Sequence, residues 1–185
     1  MPFDPYLTGF FQIASYNEER GQFELNEDIL KEILCDPKIA DLAVSPISIS
    51  GAFRQGKSFF MSMMLDYLKH EGNVAWDDPE TIIKGFEYRS GVSRTTIGID
   101  MWSKPFVLTR EDGRKVAVLL LDTQGIFDTE TSQEEFINIF AMTLLTSSKF
   151  IYNVHFQIQE DDLSNLLVIL GLFFTVNNKQ YKIFF

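Results

Sequence analysis

Gly51-Ala52-Phe53-Arg54-Gln55-Gly56-Lys57-Ser58 lies between Ile47-Ser48-Ile49-Ser50, which alternates as a half-buried strand does, and residues 59–68, whose apolar side chains recur at helical spacing. The eight residues satisfy G-x-x-x-x-G-K-[ST] in full, in the strand–loop–helix setting that the pattern requires. Glycines are needed there because successive backbone N–H groups must turn inward around an anion, at angles that a Cβ resists. Lys57 adds a mobile positive charge. Ser58 puts a hydroxyl at the start of the next helix, where it can ligate Mg²⁺ while the helix N-terminus faces a phosphate. The stretch therefore reads as a nucleotide-phosphate loop.

The chain has 185 residues, 45% of them hydrophobic, which suits one domain with a real core. Its formal charge of −10 opposes a general nucleic-acid or anionic-membrane surface, so anion binding must rest on local cations. Arg54, Lys57, Arg89 and Arg94 supply them in the candidate segments. Cys35 stands alone, which excludes an intrachain disulfide, fits a reducing cytosolic face and reads as a core filler. His70 and His155 lack metal-ligand spacing and read as surface or structural residues. No signal peptide is expected. The most apolar run, residues 166–174, is far short of the roughly 20 residues that cross a bilayer as a helix. No membrane segment is expected in this chain.

Residues 10–16 and 23–25 flank Glu18-Glu19-Arg20-Gly21 as a hairpin, and Asn26 caps a short helix reaching Leu34. Pro46 cannot donate to a sheet ladder, so it is expected to mark the beginning of the strand that enters the loop. A helix from Lys57 to about His70 precedes a polar stretch, residues 72–94, of loop character. Residues 99–108 and 115–121 flank Glu111-Asp112-Gly113 as a hairpin, and residues 116–121 are continuously apolar, as a buried central strand is. Ser132 and Glu135 form a capping box before a helix whose apolar face is Phe136, Ile137, Phe140, Ala141, Leu144 and Leu145. A strand at 150–156 and a helix beginning near Leu163 follow, with Glu160-Asp161-Asp162 at the helix start favouring its dipole. The order implies an α/β fold: a three-layer phosphate-loop NTPase with a mostly parallel sheet flanked by helices, truncated at the C-terminal end.

Asp122-Thr123-Gln124-Gly125 begins where the buried strand ends, the place for a metal-facing Asp and a γ-phosphate-sensing glycine. Arg94-Thr95-Thr96-Ile97-Gly98-Ile99 is a candidate switch, in which a Thr hydroxyl closes on Mg²⁺ while the γ-phosphate is present. G-A-F-R-Q-G-K-S, T-T-I-G-I-D-M-W-S, V-A-V-L-L-L-D-T-Q-G-I-F-D and Q-E-D-D-L, in this order, resemble the motifs of the atlastin-type dynamin-like GTPases. The resemblance runs from about residue 10 to about residue 167.

That resemblance implies GTP as substrate, Mg²⁺, and a homodimer formed through the GTPase face or pairing with full-length family members. In full-length members it further implies fusion of endoplasmic reticulum membranes, and hence the cytosolic face of that organelle; without an anchor, this chain is expected to be cytoplasmic. Carried onto these residues, Lys57 contacts the β- and γ-phosphates, Ser58 and Thr96 ligate Mg²⁺, Asp122 holds a metal-bound water and Gly125 senses the γ-phosphate. Gly51, Gln55, Gly56 and Phe59 complete the nucleotide-binding set with Arg54, Arg94 and Gln124. Arg54, Lys57 and Thr96 are the catalytic candidates, with Arg54 as an arginine finger supplied in cis. Ile126 follows Gly125, so the glutamine that orients water in small GTPases is absent there; Gln124 is a candidate for that task or for a structural one.

The family's later Arg-Asp dipeptide, whose carboxylate reads the guanine edge, is not found, and residues 171–185 diverge. Residues 1–170 accordingly read as a partial GTPase domain with a divergent tail. The alternative is a nucleotide-dependent dimerisation or binding module, or an inactive fragment, without appreciable turnover.

Overall fold

The computed structural model describes residues 8–17, 19–51, 55–74, 83–86, 98–123 and 133–154, with 158, 160, 163–164, 166–167 and 171 beyond them. In chain order its elements are β1 (Phe10–Asn17), β2 (Gln22–Leu25), α1 (Glu27–Leu34), β3 (Ala43–Gly51), α2 (Lys57–Lys69), β4 (Gly98–Trp102), β5 (Phe106–Thr109), β6 (Lys115–Thr123), α3 (Gln133–Thr146) and β7 (Lys149–Asn153). The seven strands form one sheet in the order β2-β1-β4-β6-β3-β7, and β5 also pairs with β6.

β6 is buried on both faces because residues 116–121 contain no polar side chain. Val118 and Leu120 join Ile49, Trp102, Met61 and Leu65 in the layer under α2. Leu119 and Leu121 point the other way, to Ile13, Ala14, Ile99, Met101 and Ile33 of α1. On that same side Ile139, Phe140 and Leu144 of α3 pack with Phe150 and Tyr152 of β7 and with Leu166. Alternation along one apolar strand thus yields three layers, helix, sheet and helix, as the sequence implies.

The balance of pairings differs from a mostly parallel sheet. β3 is parallel to both β6 and β7. The pairings β1·β2, β1·β4, β4·β6 and β5·β6 are antiparallel, so among the described residues the sheet is mixed. The two hairpin signals are the cause. The run at 99–108 breaks around Ser103, Lys104 and Pro105 into β4 and β5, which share one edge of β6 end to end. Among the described residues, parallel pairing is confined to β3, which leads into the 51–58 loop, and its neighbours β6 and β7.

Three local expectations change. Pro46 lies inside β3 rather than at its beginning. Its carbonyl accepts from the Ser148 N–H at 2.8 Å, so that edge of the residue faces β7, whose pairing begins only at Ile47↔Lys149. The missing N–H therefore leaves no ladder bond unmade. Residues 48–51 of β3 are buried on both faces because β3 lies between β6 and β7 there, and the small Ser48 fits beneath α3 by hydrogen bonding to Ser147. Cys35 is exposed instead of filling the core, because it caps α1 beyond Ile33, the helix's one buried residue.

Asn26 caps α1 as expected, its Oδ1 accepting from the Ile29 N–H at 3.3 Å. His70 is a surface residue whose Nδ1 lies 3.2 Å from Asp66 Oδ1. Glu160, Leu163, Ser164, Leu166, Leu167 and Gly171 are helical, in keeping with a helix near Leu163. The Ser132 capping box and most of the 72–94 stretch lie outside the described residues.

Within the described part of α3 the buried face is Ile139, Phe140, Thr143 and Leu144, whereas Leu145 is 39% exposed. Phe140 rests against Phe150 and Tyr152 with ring centroids 4.8 and 5.2 Å away. Replacing it leaves a cavity in that cluster. Phe140→Ala should cost about 3–5 kcal/mol, and Leu145→Ala no more than about 0.5 kcal/mol, measured by urea unfolding. Equal losses at the two positions would contradict the assigned face.

Candidate functional site

β3 ends at Gly51 and α2 begins at Lys57, so both meet at the C-terminal edge of the parallel strands. In open α/β sheets this is where ligands sit. Gly56 is the N-cap of α2 with φ 77° and ψ 18°, a left-handed conformation that costs a glycine nothing. No side chain caps α2, and its first turn holds no acidic residue. The positive end of the helix dipole is thus left for an anion.

Gly51 meets a second constraint. It pairs with Asn153 of β7, and a Cβ built on it would lie 2.1 Å from the Asn153 carbonyl oxygen. The first glycine of the motif is required by strand packing as well as by its φ of 145°. Asn153 Nδ2 also donates to the Gln55 carbonyl at 2.7 Å. On the opposite side of β3, Thr123 Oγ1 donates to the Ile49 carbonyl at 2.8 Å, joining the ends of β6 and β3.

The charged centre consists of Lys57, Ser58 and Asp122. Lys57 is 5% exposed and Asp122 6% exposed, at the start of α2 and the end of β6. Burial is the main cause of both shifts: it lowers Lys57 to about 8, against the attraction of Asp122, and raises Asp122 to about 7. A hydrogen bond from the Ser58 hydroxyl and the charge of Lys57 pull Asp122 back down, whereas Asp100 pushes it up. Asp100 is the β4 residue directly opposite Asp122 in the ladder, so the two carboxylates share the face under α2. Asp122 Oδ1 is buried and has no hydrogen-bond partner among the described residues.

A buried carboxylate oxygen without a donor is costly. A hard divalent cation satisfies such an oxygen, and a neighbouring hydroxyl completes an all-oxygen donor set of the kind Mg²⁺ takes. The residues present fit that cation. They offer few ligands of their own: among the described residues no group of three or more His, Cys, Asp or Glu is arranged to hold a metal. Such a site suits an ion that arrives with the phosphates of its ligand.

Of the residues expected from sequence, the structure brings Lys57, Ser58 and Asp122 together and sets Gly51, Gln55 and Gly56 along the loop. Phe59 is on the first turn of α2, 48% exposed. Arg54, Arg94, Thr96, Gln124 and Gly125 lie outside the described residues. Sequence reasoning did not single out Asn153, Thr123 or Asp100. Asp100 and Trp102 alternate with Ile99 and Met101, a period that could have placed Asp100 on the α2 face. Asn153 carries no local signal, because its partners are remote in the chain.

Comparison with known proteins agrees with this geometry. The pattern of the guanylate-binding protein N-terminal domain matches residues 20–181. The chain belongs to that family. It is 42% identical over 159 residues to Atlastin-2 of Macaca fascicularis, which covers 84% of this chain and 28% of that protein. Against Atlastin-3 of Homo sapiens the identity is 43% over 162 residues, covering 85% and 30%. Against Atlastin-1 of Bos taurus it is 43% over 145 residues, covering 78% and 26%. The chain is thus similar to the N-terminal portion of an atlastin-type GTPase and spans under a third of the length of these relatives.

The pKa shifts give a signed expectation for the ligand-free protein. Asp122 has its folded pKa raised, so the folded state holds a proton that the unfolded state has lost, and stability falls as pH rises from about 4 to about 7. Lys57 has its folded pKa lowered, so its contribution improves as pH rises from about 8 to about 10.5. Asp122→Asn should remove the first effect: without ligand it should gain stability over wild type progressively between pH 4 and 7 in urea titrations. A constant difference across that range would contradict the buried carboxyl.

Proposed function

We propose that this chain binds a guanine nucleotide with Mg²⁺ on the 51–58 loop and hydrolyses GTP. The observation that carries the proposal is the buried group of Lys57, Ser58 and Asp122 at the uncapped start of α2. Burial disfavours both charged forms in the ligand-free site, and a polyphosphate with its cation reverses both shifts: the anion favours the Lys57 ammonium and the cation the Asp122 carboxylate. The guanine preference is drawn from the family, whose name is that of guanylate-binding proteins.

In this reading the backbone N–H groups of the loop and of the first turn of α2 orient the phosphates, and the Lys57 ammonium lies against the β- and γ-oxygens. Ser58 and Thr96 would hold Mg²⁺ directly and Asp122 through a water. The bound ion would neutralise charge developing on the transferred phosphoryl group. Arg54 would add a cation to the same oxygens, and Arg94 would serve from the switch. Gly125 would donate its N–H to the γ-phosphate, with Gln124 beside the attacking water. Gly51, Gln55, Gly56 and Phe59 would complete the loop and its first turn.

By the same resemblance, nucleotide-dependent pairing of two copies across this face, and attachment of longer relatives to the endoplasmic reticulum, are part of the proposal. Among the described residues no helix is long and apolar enough to cross a membrane.

Mg²⁺-dependent phosphate release from GTP tests the reading. Lys57→Ala should abolish measurable nucleotide binding. Arg54→Ala should retain GDP affinity and lose on the order of 10³ in turnover, the low end for an arginine finger. Equal rates in wild type and both variants would refute the assigned roles, and tight binding without phosphate release would leave a binding module.

A further inference from the structure

Among the described residues, one touches the 51–58 loop at both its opening and its close. Asn153, the last residue of β7, puts its backbone carbonyl against Gly51, where the loop opens, and its side-chain amide on the carbonyl of Gln55, where the loop closes. The second contact falls on a peptide unit of special consequence. The Gln55 carbonyl and the Gly56 N–H belong to one planar trans peptide, so they point in opposite directions. No peptide bond among the described residues is cis. Holding the carbonyl toward β7 therefore aims the Gly56 N–H away from β7.

Gly56 makes this peptide easy to turn over, because a glycine populates positive and negative φ about equally. The loop's anion affinity depends on where such N–H groups point. A donor fixed on the Gln55 oxygen removes the freedom that the glycine brings. Asn153 is half-buried at the end of a paired strand, so its own position is set by the β3·β7 ladder.

The geometry points to Asn153 as a positioning residue for phosphate binding, a latch that holds the Gln55–Gly56 peptide in its anion-binding orientation before ligand arrives. It touches no phosphate itself. The inference rests on the reading of the 51–58 loop as a phosphate site, and it adds that β7 sets the loop's shape.

Asn153→Ala removes the donor, and the near-isosteric Asn153→Asp replaces it with an acceptor that repels the Gln55 oxygen. GDP affinity with Mg²⁺, measured by calorimetry on the full chain, should fall about 3- to 10-fold in the alanine variant, the worth of one net hydrogen bond, and further in the aspartate variant. Hydrogen exchange of loop amides in nucleotide-free protein should speed up in both variants, with exchange in β6 unchanged. Melting temperatures of the nucleotide-free proteins show how far folding is affected. A purely structural Asn153 would lower that temperature and leave the affinity of the folded protein within twofold of wild type; that result, with unchanged loop exchange, overturns the inference. If wild type binds no GDP, the proposed function fails, and the exchange comparison still decides whether Asn153 orders the loop.

Discussion

Two opposite charges buried side by side at the joint of β6 and α2 are the constraint on which the remaining structure depends. Lys57 and Asp122 are both removed from water, and Ser58 is the hydroxyl that bridges the helix start to the carboxylate. Opposite charges so placed are weak evidence for stability, because desolvation offsets most of the attraction. Burial raises the carboxyl and lowers the amine in spite of each other's presence, which shows that desolvation dominates here. The core would be better served by apolar residues. Keeping charges there makes sense for a centre completed by a charged ligand.

Holding such a centre requires a rigid frame, and the frame is the parallel part of the sheet. β3 delivers the loop, β6 delivers Asp122, and β7 braces the loop through Asn153. Thr123 ties β6 to β3 beside the carboxylate. The antiparallel strands β1, β2, β4 and β5 extend the sheet away from the loop, and β4 places Asp100 next to Asp122. Helix α2 is anchored by Met61 and Leu65 beneath it and by Ser62, whose hydroxyl faces the carbonyls of Ser58 and Phe86 at 2.7 and 3.2 Å. Movement at the helix start is thus opposed from both sides.

Features set by local chemistry were legible in the sequence, and those set by partners remote in the chain were not. The loop, the cap of α1, the apolar strand β6 and the carboxylate at its end follow from glycine, asparagine and hydropathy patterns that act over a few residues. The mixed pairing was half visible, since each hairpin turn could be read but not which edge of β6 would receive both β4 and β5. Pro46 misled because its cost depends on whether a neighbouring strand has begun, which only the register decides. Leu145 misled because helical spacing gives the apolar stripe but not how much of it the sheet covers, and Leu145 stays 39% exposed. Asn153 and Asp100 were silent for the same reason: each acts through a cross-strand neighbour.

Calorimetric titration of GDP into the ligand-free chain, with Mg²⁺ and again with the metal chelated, tests the central claim most directly. The buried centre predicts saturable binding that is tighter when Mg²⁺ is present, because the hydrated cation favours the charged form of Asp122 while the diphosphate favours that of Lys57. Affinity that is immeasurable in both conditions, or unchanged by the metal, would contradict it.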